Sequence, residues 1–466
     1  MTDKERLCLV LKYAKITAVV LVLAMLVGGT WFAAKFCVDF FRNGLFGDGS
    51  TYGFVGEFLN IPEPTAPPET EPVEVGTGVV SRASIVVGGD VVMHNPVIKS
   101  GLQPDGIYNY DSAFAQIASY VNRADYAVLN LETTLAGTEK GREYSGSPNF
   151  NSPDEIVDGA KNAGFDMLLT ANSHSNHTGA AGFRRTYETI TARGLAALGT
   201  RDSEEIPGYQ VVDINGIRIG MVCYTHGTFG SGGRPAVDGR DLDDSVAGLI
   251  NVFSYENTEG FYSDMEAKIA AMKADGAEAI VLFIHWGDQY KLTPTNAQTT
   301  IAQKMCDLGV DVIVGGHPSV VQPVALLTST ADENRKTLCV YSLGNLLSNQ
   351  RSDNVGVPSG HTEDGILFTF TFAKYSGGEV HLETADLLPI WIHMWKENDV
   401  KHYAAVPLDA SKSDWNLEEV PLASAKKSYE RTMTTTGPGM TAAQTALEEA
   451  RIQRETAMGL EDEGVG

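Results

Sequence analysis

Val312-Ile-Val-Gly-Gly-His-Pro-Ser-Val-Val-Gln-Pro323 opens on three β-branched apolar residues, crosses two glycines and delivers His317, with Pro318 behind it. Such a run reads as a buried strand ending in a tight turn that holds an imidazole at its carboxyl edge. Other apolar runs end alike. Ile85–Val87 leads to Asp90, with His94 four residues on, and Tyr126–Leu131 closes on Asn130 and Glu132. Met167–Thr170 runs into Ala171-Asn-Ser-His-Ser-Asn-His177, Ala279–Ile284 stops at His285 beside Trp286, and Thr337–Tyr341 leads to Asn345. Helical stretches at Asp111–Ala124, Gly182–Ala192, Tyr262–Ala274 and Thr295–Leu308 alternate with these strands. The pattern predicts an α/β fold, and open α/β sheets collect ligands outside the carboxyl ends of their strands. Gly365–Phe372 and Glu379–Ile392 read as paired strands that close the domain, and Thr441–Met458 reads as a helix.

Each residue taken alone has a plainer explanation. A Gly-Asp pair is usually a turn, an Asn-rich run can cap the next helix, and a histidine leaving an apolar strand can be a satisfied core residue. His226, after the strand Ile217–Tyr224, reads as polar surface. The Gly-rich acidic stretch Gly230–Ser245 reads as a mobile loop over the strand ends, with Arg234 and Arg240 as candidate anion contacts.

Bulk composition narrows the classes. With 35 Lys and Arg against 59 Asp and Glu, the formal charge is −24. That charge excludes nucleic acid and anionic lipid surfaces as partners and repels a polyanion unless a cation compensates. The five cysteines show no CxxC or zinc-ribbon spacing and so form no disulfide framework; Cys8 and Cys37 flank the N-terminal apolar run, and Cys223, Cys306 and Cys339, in or beside strand and helix patterns, are expected as buried thiols. No Gly-x-Ser-x-Gly elbow, Walker loop or dinucleotide fingerprint is present.

The expected organisation is a cytoplasmic N-terminus over 1–15, a membrane anchor over 16–38, a Pro/Glu/Thr-rich spacer over 39–80, a folded domain over 81–400 and an extension over 401–466. The anchor rests on the uncharged run Ile16–Ala34 behind Lys4, Arg6, Lys12 and Lys15. Its length and basic flank predict a single-pass protein of the cell membrane with its main domain extracellular.

Asp90, Glu132, Asn172, His174, His285 and His317 suit hard-to-borderline divalent ions such as Mn, Zn or Fe, one or two of them, and the absence of Cys donors argues against a structural zinc. His94, His177 and Asn345 are further candidates. Gly89-Asp90, Asn130-Leu-Glu132, Ala171-Asn-Ser-His174, His285-Trp-Gly287, Gly315-Gly-His-Pro-Ser-Val-Val-Gln322 and Tyr341-Ser-Leu-Gly-Asn345 resemble the motifs of the CapA capsule-synthesis family. The resemblance covers about Ser84–Pro389. It implies a metallophosphatase-like layered α/β/β/α sandwich and a role in poly-γ-glutamate capsule synthesis. It also implies a phosphoester or anionic polymer as substrate, and other capsule-synthesis membrane proteins as partners. In the family the six matching positions are the metal and catalytic groups, and His174 and His285 are the expected catalytic pair. The chain departs at Ser319, where the family usually has a second histidine, at Gln289, where it has a glutamate, and at His177, where an aspartate is common. Two expectations follow, a metal-dependent hydrolase or a non-catalytic component that binds, exports or anchors an anionic polymer.

Overall fold

Val79–Val92 is the spine of the first sheet, and its burial changes character along its length. The first half alternates between exposed and covered residues and pairs antiparallel with Asp364–Tyr375. The second half, Ile85 to Val92, is almost wholly buried and pairs parallel with Tyr126–Glu132. A strand covered on both faces needs a continuous apolar run, and Ile85-Val86-Val87 provides one. The computed structural model describes residues 78–230, 233–357, 360–411 and 421–458, all within the unit Gly76–Gly466.

The first sheet runs Val400–Pro407, Val380–Glu397, Asp364–Tyr375, Val79–Val92, Tyr126–Glu132, Met167–Leu169 and Ala196–Leu198, with Asn345–Leu347 also paired to Val79–Val92. The second runs Val252–Phe253, Ile217–His226, Ala279–His285, Val312–Gly316, Lys336–Val340 and Val324–Thr328, with Tyr209–Ile214 beside Ile217–His226. Ile85, Val87, Phe368 and Phe370 of the first sheet meet Met221, Val281, Phe283 and Val314 of the second in one core. Helices Asp111–Val121 and Glu155–Ala163 cover the outer face of the first sheet. Thr258–Ala274 and Asn296–Leu308 cover that of the second. The result is the expected α/β/β/α sandwich. Cys223, Cys306 and Cys339 are free and buried, as the sequence predicted.

Asn296–Leu308 shows how local chemistry fixes an element. Thr295 and Gln298 form a reciprocal capping box, and Gly309 closes the far end at φ 100°, a left-handed conformation that glycine adopts without steric cost.

Beyond residue 400 the chain adds the edge strand Val400–Pro407 and a 36-residue helix, Leu422–Ala457. Buried Asp364 receives Arg431 through Nε and Nη2, both at 2.7 Å, and Ser428 at 2.6 Å, which clamps this helix to the first sheet.

The single-pass membrane assignment is corrected by these observations. No helix among the described residues is long and apolar enough to cross a bilayer. Leu422–Ala457 has the length, but it carries Lys426, Lys427, Glu430, Arg431, Glu448 and Glu449. The stretch 16–38 and nearly all of the spacer lie outside the described residues.

Candidate metal centre

Both sheets release their carboxyl ends at one rim. In register, Asp90 lies beside Asn130 and Val92 beside Glu132 in the first sheet, and His285 lies beside Gly316 in the second. Glu132 Oε1 and His285 Nε2 stand 3.4 Å apart, and His285 Nε2 and His317 Nδ1 stand 3.2 Å apart. One donor atom from each of the three lies within 4.8 Å of the others. Donors around one tetrahedral ion at about 2.0–2.1 Å sit roughly 3.3–3.4 Å from each other, so this nitrogen–oxygen set fits a divalent metal.

The electrostatics agree with that fit. Burial, followed by the nearby Glu132 charge, pushes the Asp90 carboxyl up to about 6. Burial pushes Glu132 up to about 7, and it holds His285 and His174 down to about 4 and His317 to about 3. Near neutral pH the imidazoles are therefore neutral with lone pairs available, beside carboxyls whose charge lacks a compensating cation.

The loop carrying His317 is tightly determined. His317 has φ 95° and Ser319 φ 58°, conformations that non-glycine residues adopt only when their surroundings impose them. A Cβ on Gly315 would stand 2.0 Å from Tyr341 O, and one on Gly316 would stand 2.9 Å from Asp90 Oδ1. The two glycines of the opening stretch therefore allow backbone and carboxylate to approach. Trp286 is fully buried and donates from Nε1 to Tyr341 O at 2.9 Å.

The remaining predicted residues fall into two groups. Asp90 borders the donor set but spends both oxygens on hydrogen bonds, from Asn130 Nδ2 at 2.7 Å and His317 N at 3.1 Å. Asn172 braces the rim: its amide donates to Asn130 Oδ1 and Leu131 O, and its oxygen accepts from His174 N. His174 places Nδ1 2.9 Å from Glu132 O and Nε2 3.7 Å from Glu132 Oε1, with its ring stacked on Phe150. Outside the set, His177 uses Nε2 on Asp238 at 2.9 Å and accepts from Phe150 N at Nδ1. Asn345 is fully buried, and its Nδ2 stands within hydrogen-bonding distance of Ser319 O, Gln350 Oε1 and Thr362 O. His94 stands edge-on to Phe150 in the wall of a cleft. That cleft measures about 320 Å³ and is lined by His94, Glu132, Phe150, His174, Tyr290 and Ser319, among others.

Two expectations about the rim need revision. His226 is half-buried and stacks on Tyr255 at 4.5 Å, so it is not simply polar surface. Within Gly230–Ser245, Pro235–Val237 and Arg240–Asp241 pair with Thr228–Phe229 in a small sheet. Its arginines are committed, Arg234 to Asp244 and Arg240 to Asn149 Oδ1 and Pro148 O. Ser173 is the residue that sequence reasoning passed over. Its hydroxyl lies 2.9 Å from His285 Nε2 and 3.1 Å from His317 Nδ1. Its place between Asn172 and His174 was the available signal.

The family model described as Bacterial capsule synthesis protein PGA_cap matches residues 84–350, more than half of the chain. The chain belongs to this capsule synthesis family. Among similar proteins, the capsule biosynthesis protein CapA of Bacillus anthracis is 26% identical over 250 residues. That match covers 52% of this chain and 55% of the relative, so the chain spans about half of that protein. The PGA biosynthesis protein CapA of Bacillus subtilis strain 168 is 27% identical over 326 residues, 68% of this chain and 75% of the relative. A solved Staphylococcus aureus structure described as a 5′-nucleotidase, in complex with alpha-ketoglutarate, overlaps with a TM-score of 0.40 at 14% identity. The overlap covers 69% of this chain and 57% of that one.

Proposed function

We propose that the chain is a divalent-metal-dependent hydrolase that cleaves a phosphoester-type bond in a cell-envelope polymer during capsule synthesis. The observation that carries this reading is the Glu132, His285 and His317 donor set, whose Glu132 also lines the 320 Å³ cleft. These three residues would hold the ion. A bound ion there supplies Lewis acidity and lowers the pKa of a coordinated water. Asp90 would orient the set through Asn130 and the His317 amide. His174 directs Nδ1 at a carbonyl oxygen, so the proton sits on Nδ1 and Nε2 keeps its lone pair toward the cleft side of Glu132. That lone pair would take the proton of the attacking water.

The second reading, a binding component without turnover, draws on Gln289 and Ser319. Both line the cleft where the family pattern carries a glutamate and a histidine. Elemental analysis of the purified chain, paired with bis(4-nitrophenyl) phosphate turnover, separates the two. The hydrolase reading expects stoichiometric metal and activity, both lost in His285→Ala. A metal-free, inert protein that still binds an anionic polymer would establish the second reading instead.

A further inference from the structure

Tyr290 has φ 64°, unusual for a bulky aromatic residue and a mark of imposed conformation. Its backbone N–H donates to Pro318 O at 2.8 Å, which ties its loop to the one carrying His317. Its side chain lines the same cleft as Glu132 and His174, and burial, followed by the Glu132 charge, holds its phenol above the ordinary range.

The orientation of the phenol follows from a relay of amides. Asn345 Nδ2 faces two backbone carbonyls, Ser319 O at 3.1 Å and Thr362 O at 3.0 Å. Carbonyls only accept, so the Asn345 amide cannot be flipped. The same Nδ2 lies 2.9 Å from Gln350, and an amide nitrogen cannot accept a hydrogen bond, so the Gln350 atom facing it is Oε1 and Nε2 points toward Tyr290. Gln350 Nε2 then donates to Tyr290 Oη at 3.3 Å. The phenol is thereby held as an acceptor, and among the described residues its own proton has no acceptor and is free for the cleft. His174, with its proton on Nδ1, is arranged to receive a proton and not to give one. A hydrolysis that uses His174 as base still needs an acid.

We propose that Tyr290 donates the proton to the leaving oxygen in the hydrolysis described above, an assignment that rests on that reading. The water oxygen forms the new bond to phosphorus as the bond to the leaving oxygen breaks. The water proton passes to His174 Nε2, and the Tyr290 proton passes to the leaving oxygen. The phenolate is reprotonated through solvent by the proton His174 took up. A phenol, even one that burial and the Glu132 charge raise above its ordinary value, is a stronger acid than the conjugate acid of an alkoxide, which resembles water at about 15.7, so it can protonate that leaving group. It gives no such help to a nitrophenolate, which leaves unprotonated.

The test is the leaving-group dependence of the metal-loaded full chain with Tyr290→Phe. On a glycerol phosphodiester, kcat should fall by about 10²- to 10⁴-fold. On bis(4-nitrophenyl) phosphate it should fall only a few-fold, with KM and metal content unchanged. Gln350→Leu, which frees the phenol to rotate, should move the same ratio in the same direction by less. Equal losses on both esters, or no loss on either, overturn the role of Tyr290 while leaving the hydrolase reading intact. No turnover of either ester by the wild type overturns the hydrolase reading and the Tyr290 role with it.

Discussion

Glu132→Gln should stabilise the metal-free protein, increasingly so as pH rises. Glu132 is 4% exposed, and burial lifts its carboxyl from 4.5 to about 7. A raised acid contributes stability that is intact below the unfolded value and disappears as pH climbs through the folded one. The full window corresponds to about 3 kcal/mol at about 1.4 kcal/mol per pKa unit. Roughly 2 kcal/mol of that falls between about pH 5.5 and 8, a range that stays above the sequence pI of 4.8. Glutamine keeps the shape without the charge. Urea unfolding of wild type and variant in a chelator, at both ends of this range, should therefore diverge by about 2 kcal/mol in favour of the variant. Saturating Mn or Zn should reverse the order, because the wild type alone gains full binding energy from the ion. Parallel curves in the chelator would refute the claim that Glu132 is a buried carboxylate lacking its cation.

Other consequences are sharper and smaller. Ser173→Ala should tighten metal binding. The hydroxyl occupies the His285 and His317 nitrogens that an ion needs, and a hydrogen bond of about 0.5–1.5 kcal/mol corresponds to roughly 2- to 10-fold in affinity. Weaker binding by titration calorimetry would mean that Ser173 supports the ion instead. Asp364→Ala removes the 1%-exposed partner of Arg431 and Ser428. Stranding a half-buried guanidinium should cost about 3–5 kcal/mol in denaturant unfolding, and a loss under about 1 kcal/mol would show that this clamp does not dock the C-terminal helix.

Elements with a complete local signature were legible from sequence. Thr295–Leu308 could be drawn almost to the residue because a capping box opens it and a glycine closes it. The histidine and carboxylate ends of Tyr126–Glu132, Ala279–His285 and Val312–Gly316 were legible because fully buried strands announce themselves as apolar runs. Elements that depend on a distant partner were not. Val79–Val92 was read only at Ile85–Val87, since its polar first half becomes a strand by pairing with Asp364–Tyr375. The long helix was read only from Thr441, because Gly437-Pro438-Gly439 is a breaker in isolation. In the fold, a Cβ on Gly439 would lie 1.9 Å from Val324 O, so that interruption is where helix and strand touch. Within the site, the orientation of Tyr290 was hidden because it depends on two backbone carbonyls acting through two amides.

The donor set also spans the fold. Glu132 comes from the first sheet, and His285 and His317 come from the second, so an ion bound there would link the two. The link is not what joins them, because Ile85, Val87, Phe368 and Phe370 already pack against Met221, Val281, Phe283 and Val314. Burying each such side chain contributes about 1.5–3 kcal/mol, far more in sum than the charge effects at the rim. The core thus lets the protein fold without metal while holding two carboxylates and three neutral imidazoles in an arrangement that water would otherwise relax. At the rim, His317, Ser319 and Tyr290 carry positive φ, and Asp90 and Glu132 are shifted upward. A site arranged this way should bind metal without global rearrangement. Amide exchange on metal addition should therefore slow at residues near 90, 132, 285 and 317 and leave the strand Asp364–Tyr375 unchanged. Protection spreading through that strand would mean that the two sheets are not pre-docked.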